Sequence, residues 1–326
     1  MGPHPAVASV RLAVRRTIVS LTGDPVVLVA CSGGADSLAL LAAAVFETRS
    51  GPGRVVGVTV DHGLQEGSAE HADRVVAQMA LMGADETAAV RVTVDGGGRG
   101  IEAAAREARY AVLEEVASRM DARAVLLGHT LDDQAETVLL GLTRGSGGRS
   151  IAGMRPAFDH FHRPLLGLTR EQTEAACRAE GIEFWDDPHN ADPRFTRSRI
   201  RHRVMPVLEQ ELGPGVAAAL ARTAEQLRPD MEALDLLAEE LLIEARDADG
   251  LVVSRLEGPP DALVGRVLRL AALDAGSPGS ELFHVHVHAL GSLLRGSLRG
   301  DVQLPGHLTA YRSEDHLRFR RTSVES

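Results

Sequence analysis

Lysine is missing from this sequence. All 35 basic residues of the 326-residue chain are arginine, so no side-chain ammonium is available for a Walker-type phosphate loop, a Schiff base or a lysyl-adenylate on the protein. Cysteine is almost missing too. Cys31 and Cys177 are the only two, too few for a disulfide framework or a four-thiolate metal site, which agrees with a reducing compartment. No run approaches the roughly 18 consecutive apolar residues that span a bilayer. The N-terminal MGPHPAVASVRLAVRR places its arginines after the mild apolar patch, the reverse of a signal peptide. These absences predict a cytoplasmic protein with no membrane partner. With 45 acids the formal net charge is −10, so contact with a polyanion would need a local basic patch.

A chain of this length is too long for one ordinary core, and two domains are expected. Short β-branched runs stand at PVVLVAC (25–31), RVVGVTVD (54–61), AVRVTVD (89–95) and ARAVLLGH (122–129). Their near-unbroken apolarity is that of strands buried on both faces of a parallel sheet. Helical periodicity fills 36–48, 66–83, 100–120 and 131–143. Strict alternation predicts an α/β fold, a doubly wound parallel sheet of Rossmann-like type. Beyond about 205 the pattern changes: one long helical stretch over 215–246, a break at GPP (258–260), more helices to about 296, then a tail that alternates like two small strands around a turn. The expected domains are 1–210, and a mainly helical 211–326, divided near MPVLEQELGPG.

The segment SGGADS (32–37) follows the first strand and starts the first helix. Gly33 and Gly34 permit a tight turn with its N–H groups toward one anion, Ser32 and Ser37 add hydroxyls, and the helix N-terminus supplies partial positive charge. Such a loop binds phosphate without lysine. Asp36 would repel a naked phosphate, so it implies a magnesium ion beside it or another acceptor role. A lone SGG is equally a strand-to-helix turn with a serine cap. In GHTLDDQAET (128–137), Asp132 and Glu136 are four apart and Asp133 and Glu136 three apart, neighbours on one helical face. Acids crowded in this way call for a cation, although an acidic first turn is also favoured by the helix dipole alone. RGSGGRSIAGM (144–154) is a glycine-rich loop, and positions 194–203 hold five arginines and no acid, either a solvated face or a patch for a phosphate backbone.

Taken in order, SGGADS, DHGL (61–64), AAREARY (104–110), GHTLDDQAET, RGSGGRSIAGM, RPLL (163–166) and DDPHNADPRFTRSRIRHRVMPVL (186–208) resemble the bacterial tRNA(Ile)-lysidine synthetases. These belong to the PP-loop, or N-type, ATP pyrophosphatases. The resemblance covers about 25–210, and LPG at 304–306 also fits. Two places depart from the family pattern: Pro-His inside DDPHN, and RSRIR where RNxxR is usual. A second C-terminal domain found in larger members is not represented.

The resemblance implies ATP with magnesium, free L-lysine, and an isoleucine tRNA with a CAU anticodon as partners; it is compatible with a homodimer. It implies attack of the wobble cytidine's O2 on the α-phosphate of ATP, release of pyrophosphate, and displacement of AMP by the ε-amine of lysine. Ser32, Gly33, Gly34, Ala35, Asp36 and Ser37 would hold the pyrophosphate, with Asp61 and His129 also at the nucleotide. Asp36 would face the metal, with Asp132 nearby. Asp133 and Glu136 would receive lysine's amines. Arg109 or Arg106, and one of Arg197, Arg199 and Arg201, would neutralise the α-phosphate, with Arg109 and Arg201 the first candidates. His129 is equally a structural histidine. HVHVH (284–288) looks like a metal-ligand run if extended, but in a helix His284 and His288 share a face and His286 points elsewhere. Cys31 packs, since no activating neighbour is evident. The alternatives are another PP-loop tRNA-modifying enzyme, such as a thiolase, or a nucleotide-binding regulator without turnover. The thiolase usually needs closely paired cysteines, and the regulator needs neither the acids nor the arginines.

Overall fold

The computed structural model describes residues 2–49, 51–61, 63, 67–92, 101–145, 147–187 and 192–322, with the side chains of 101–103 excepted. The chain forms two compact units, 1–140 with 153–222 and 141–152 with 223–326. The dividing point thus lies past the expected 210, within a helix, and the glycine-rich 141–152 groups with the C-terminal unit.

The first unit begins with α1 (Pro5–Ser20), β1 (Val26–Ala30), α2 (Ala35–Thr48), β2 (Arg54–Asp61), α3 (Ser68–Leu81), β3 (Glu86–Arg91), α4 (Ile101–Arg119), β4 (Ala122–Leu127) and α5 (Leu131–Arg144). After α6 (Gly148–Ile151) come β5 (Ala157–Phe158), β6 (Phe161–His162), α7 (Arg170–Ala179), α8 (Thr196–Arg199) and α9 (Met205–Leu212). The sheet runs β3-β2-β1-β4-β6-β5, parallel throughout except for the edge pair β5 and β6. The period of two explains the continuous apolar runs. Val27, Val29, Ala124 and Leu126 pack in the cluster that includes α1, α2 and α7, while Leu28, Val125 and Leu127 pack in the one that includes Leu113 and Ala117 of α4. Each strand therefore needs hydrophobic side chains on both faces.

α1 lies outside the elements expected from sequence, yet its signal was there: Val7, Val10 and Val14 recur at helical spacing and all are buried. β3 begins at Glu86 and not at 89; the 93–95 end of that expected strand, like His62, Leu64 and 188–190 of the DDPHN motif, falls outside the described residues.

α10 (Val216–Ala245) carries the chain into the second unit, which adds β7 (Arg246–Asp247), β8 (Gly250–Val252), α11 (Asp261–Asp274), α12 (His284–Leu294), β9 (Val302–Leu304), β10 (Leu308–Ser313) and β11 (His316–Arg321). The tail holds three strands instead of two, and they join β7 and β8 in an antiparallel sheet ordered β7-β8-β11-β10-β9. Leu251 and Leu317 from this sheet share a core with Leu242, Leu268 and Leu290 of the helices. HVHVH opens α12, so it is helical. His284 and His288 lie 6.3 Å apart, and His286 Nδ1 accepts the N–H of Phe283 at 3.0 Å, the work of a cap.

Candidate active site

The glycine loop sits between β1 and α2, at the carboxyl edge of the sheet, where open α/β folds bind ligands. Gly33 has φ +83°, and a Cβ there would lie 2.8 Å from Val75 Cγ2, so both conformation and space require glycine. Three successive carbonyls are tied to protein. Ser32 O meets His71 Nε2 at 3.0 Å, Gly33 O accepts the N–H of Trp185 at 2.9 Å, and Gly34 O accepts the hydroxyl of Ser37 at 2.9 Å. Ser37 Oγ in turn accepts the Ser32 N–H at 3.1 Å. With its carbonyls held back, the loop offers an anion the first N–H groups of α2, which a helix cannot satisfy internally. Replacing Gly33 by Ala should weaken ATP binding at least tenfold, with a strain of about 1–2 kcal/mol; calorimetric titration with nucleotide and a thermal melt test it.

Asp36 stands in the first turn of α2. Its Oδ1 accepts the hydroxyl of Thr173, and its Oδ2 is 3.6 Å from Arg170 Nε. Burial pushes its carboxyl up to about 6, against the opposing pull of Thr173 and Arg170. Gly128, just beyond β4, lies so close to this turn that a Cβ would come within 3.1 Å of Ser37 N. The glycine loop and the acidic turn of α5 are thereby brought side by side.

That acidic turn is neutralised by the chain's own arginines. Asp133 Oδ2 accepts the N–H and the hydroxyl of Thr130 at 2.9 and 3.1 Å, a capping arrangement. Its Oδ1 accepts Arg170 Nη2 at 3.0 Å and Arg201 Nη2 at 3.1 Å. Burial works against the Asp133 carboxylate, but Arg170 and the Thr130 N–H outweigh it and hold the carboxyl below its usual range. Glu136, 1% exposed, is forked by Arg201 through Nε at 2.7 Å and Nη2 at 3.1 Å, with Arg197 Nε at 3.5 Å. Asp132 Oδ2 accepts the main-chain N–H of Arg170 at 2.8 Å. Arg201 comes from a π-helical segment, Ile200–Val204, between α8 and α9, a widened turn often met at functional sites. Asp132, Glu136, Arg170, Arg201, Met205, Pro206, Glu209 and Ala217 line a cavity of ≈ 200 Å³, below the ~300–1,000 Å³ typical of drug-sized ligands.

A second, cationic group surrounds His129. Burial is the first cause holding this imidazole far below its ordinary value, and Arg163, Arg106 and Arg197 add to it against Asp133. Its Nδ1 is buried without a hydrogen-bond partner. Arg163 is buried, bonded to Arg155 O at 2.6 Å and to the Tyr110 hydroxyl at 2.9 Å. Burial first, and then the neighbouring charges of Arg106 and Arg197, pull the Arg109 guanidinium below its ordinary value. Among the described residues it has no carboxylate partner.

Other expected residues are occupied differently. Asp61 is buried, with Oδ1 accepting the Gly63 N–H at 2.9 Å and Oδ2 accepting Arg91 Nε at 2.9 Å. Arg199 caps Pro193 O and Arg194 O, and Arg194 pairs with Asp192 at 2.7 Å, so much of the arginine-rich stretch is bound within the chain. Cys31 and Cys177, far apart in sequence, both touch α2's first turn, through Ser37 O and Ala35 O. Burial pushes each thiol up to about 12, the state of packing cysteines. Among the described residues no group of three or more His, Cys, Asp or Glu is placed to hold a metal, and no helix is long and apolar enough to cross a membrane.

Arg170 and Thr173 are not among the residues the sequence points to, although the start of their helix is marked. Thr169 and Gln172 form a capping box at the start of α7, a spacing legible in TREQ. His71 and Trp185 carried no such signal, because their partners are main-chain atoms.

Residues 10–208 match the PP-loop domain family. The tRNA(Ile)-lysidine synthase of Streptomyces coelicolor is 48% identical, over 98% of this chain and all of that one. That of Thermobifida fusca is 52% identical over 94% of each. Among solved structures, the U34-tRNA thiolase NcsA of Methanococcus maripaludis with its [4Fe-4S] cluster aligns with a TM-score of 0.58 and 18% identity, over 68% of this chain and 79% of that one. At such low identity the likeness is one of fold.

Proposed function

The chain belongs to the tRNA(Ile)-lysidine synthases, and on that premise we propose that it joins free L-lysine to C2 of the wobble cytidine in CAU-anticodon tRNA(Ile) at the expense of ATP. The observation that carries this reading is one side chain: Arg170 lies 3.6 Å from Asp36 beside the glycine loop and 3.0 Å from Asp133 in the acidic turn. A phosphate site and a site for a cationic amino acid therefore share a wall.

In the first step cytosine O2 attacks the α-phosphate and the bond to the pyrophosphate oxygen breaks. The departing charge is received by the N–H groups and hydroxyls of Ser32 to Ser37. Arg109, a cation without a described carboxylate partner, offsets charge on the α-phosphate, while Arg201 acts by holding Asp133 and Glu136. In the second step the neutral ε-amine of lysine attacks C2, the C2–O bond breaks, and AMP leaves. Asp133 and Glu136 bind lysine's amines, and the ≈ 200 Å³ cavity, whose lining includes apolar Met205 and Pro206, accommodates its methylene chain. Magnesium requires only one or two carboxylates together with substrate phosphates, and Asp36 at the loop fits that demand, with Asp132, which holds the Arg170 main chain, as the second acid; the ion would supply charge neutralisation for the triphosphate. Asp61, tied to Gly63 and Arg91, stands at the nucleotide. The arginine-rich 194–203 and the C-terminal unit meet the tRNA, and the cytoplasm is the compartment in which the three substrates coexist.

Purified protein incubated with ATP, labelled lysine and the CAU-anticodon transcript should leave label on the RNA. AMP release that depends on a sulfur donor and not on lysine would point to a thiolase instead. His129, held neutral by burial, contacts the nucleotide without shuttling protons. Its ring carbon resonance should show no titration between pH 5 and 8, the window of an ordinary histidine; a midpoint near 6.5 would contradict that.

A further inference from the structure

We propose that Arg170 is a displaceable counter-ion that makes lysine binding conditional on the nucleotide. This rests on the assignment of lysine to Asp133 and Glu136. In the chain as it stands neither carboxylate has room for a new cation. Asp133 spends Oδ2 on Thr130 and Oδ1 on Arg170 and Arg201. Glu136 is closed by the Arg201 fork. An ammonium group can enter only by moving a guanidinium.

Of the two arginines, Arg201 is the more firmly held, by two bonds to Glu136 at 2.7 and 3.1 Å. Arg170 makes one short bond, to Asp133, and otherwise stands at 3.6 Å from Asp36 and 3.9 Å from Glu136. It is central to three carboxylates and bound bidentately to none. A partly buried guanidinium does not leave its carboxylate without another anion to go to. Arg170 is also the one already turned toward Asp36, in the first turn of α2 behind the glycine loop, so phosphates in that loop offer it the new partner. Nucleotide binding then vacates the Arg170 position on Asp133 Oδ1, beside Arg201, for lysine. The main-chain N–H of Arg170 stays on Asp132, which anchors the residue while its side chain moves.

The consequence is a positive coupling that must be reciprocal. Lysine titrated calorimetrically into the full-length protein should bind at least about tenfold more tightly with magnesium and α,β-methylene-ATP present than without them, within the usual 5–150-fold range of such couplings. Lysine should tighten the analogue by the same factor. In Arg170→Met the difference should shrink below about twofold, with lysine binding without nucleotide no weaker than in the unaltered chain; Arg170→Lys should keep part of the coupling. Equal lysine affinity with and without the analogue in the unaltered protein overturns the proposal, whatever the variants do. So does full coupling in a folded Arg170→Met. Failure of the underlying site reads differently: lysine affinity unchanged in Glu136→Gln would remove lysine from that pocket and the coupling with it.

Discussion

Asp36→Asn is expected to abolish pyrophosphate release, by a hundredfold or more, in a protein that melts no lower than the unaltered chain at pH 7.5. Inactive variants are commonly less stable, so the second half of this expectation is the more telling. The carboxyl of Asp36 is pushed up to about 6 by burial, from an ordinary 3.8. An acid raised in the folded state favours folding when protonated; that contribution is complete below about pH 3.8 and is lost as pH rises through about 6. At pH 7.5 the ionised group therefore costs the fold on the order of 3 kcal/mol, even with Thr173 and Arg170 in place. Asparagine is neutral at every pH and escapes this cost. The midpoint of Asp36→Asn should exceed that of the unaltered chain by several degrees at pH 7.5, and the gap should narrow to about half at pH 5 and close only below about pH 3.8. A buried charge kept at such expense serves a ligand. Near-normal turnover in the variant, or a midpoint that falls equally at both pH values, would remove Asp36 from the phosphate chemistry.

Much of the local geometry of this site is legible in the sequence. SGGADS predicts a glycine turn with hydroxyls at a helix start because these are local properties, and all three are found at 32–37. The doubly wound sheet was legible for the same reason: buried strands need long apolar runs, and four such runs became β1 to β4. The cation for Asp133 and Glu136 was another matter. Crowded acids predicted one, but the arginines that supply it come from positions 170, 197 and 201, and nothing in spacing reveals a contact across more than 30 residues. Asp61 shows the same limit. An acid at the end of a strand looks like a ligand contact, and its partners Gly63 and Arg91 are not legible in the spacing. The same short range hid the C-terminal sheet. β7 and β8 comprise two and three residues, too few to show a period, and only pairing with β11 makes them strands.

The arginines around Glu136 create an ambiguity that one substitution cannot resolve. Glu136→Gln should raise the KM for lysine at least tenfold and that for ATP by less than threefold, but it should also destabilise the protein, because the Arg201 fork loses its charged acceptor. Removing one member of a buried ion pair costs about 3–5 kcal/mol; with Arg201 21% exposed at its side chain, the lower end of that range applies. A weakened lysine site could then be a by-product of a loosened one. The double variant Glu136→Gln with Arg201→Gln separates the two effects, since replacing both partners of such a pair is often close to neutral. Its melting point should recover to within a few degrees of the unaltered chain. Lysine affinity should not recover, because the carboxylate that would bind the amine is still missing. Should the double variant regain both stability and lysine affinity, Glu136 is a partner for Arg201 and nothing more, and Asp133 with Asp132 would have to hold the amino acid alone.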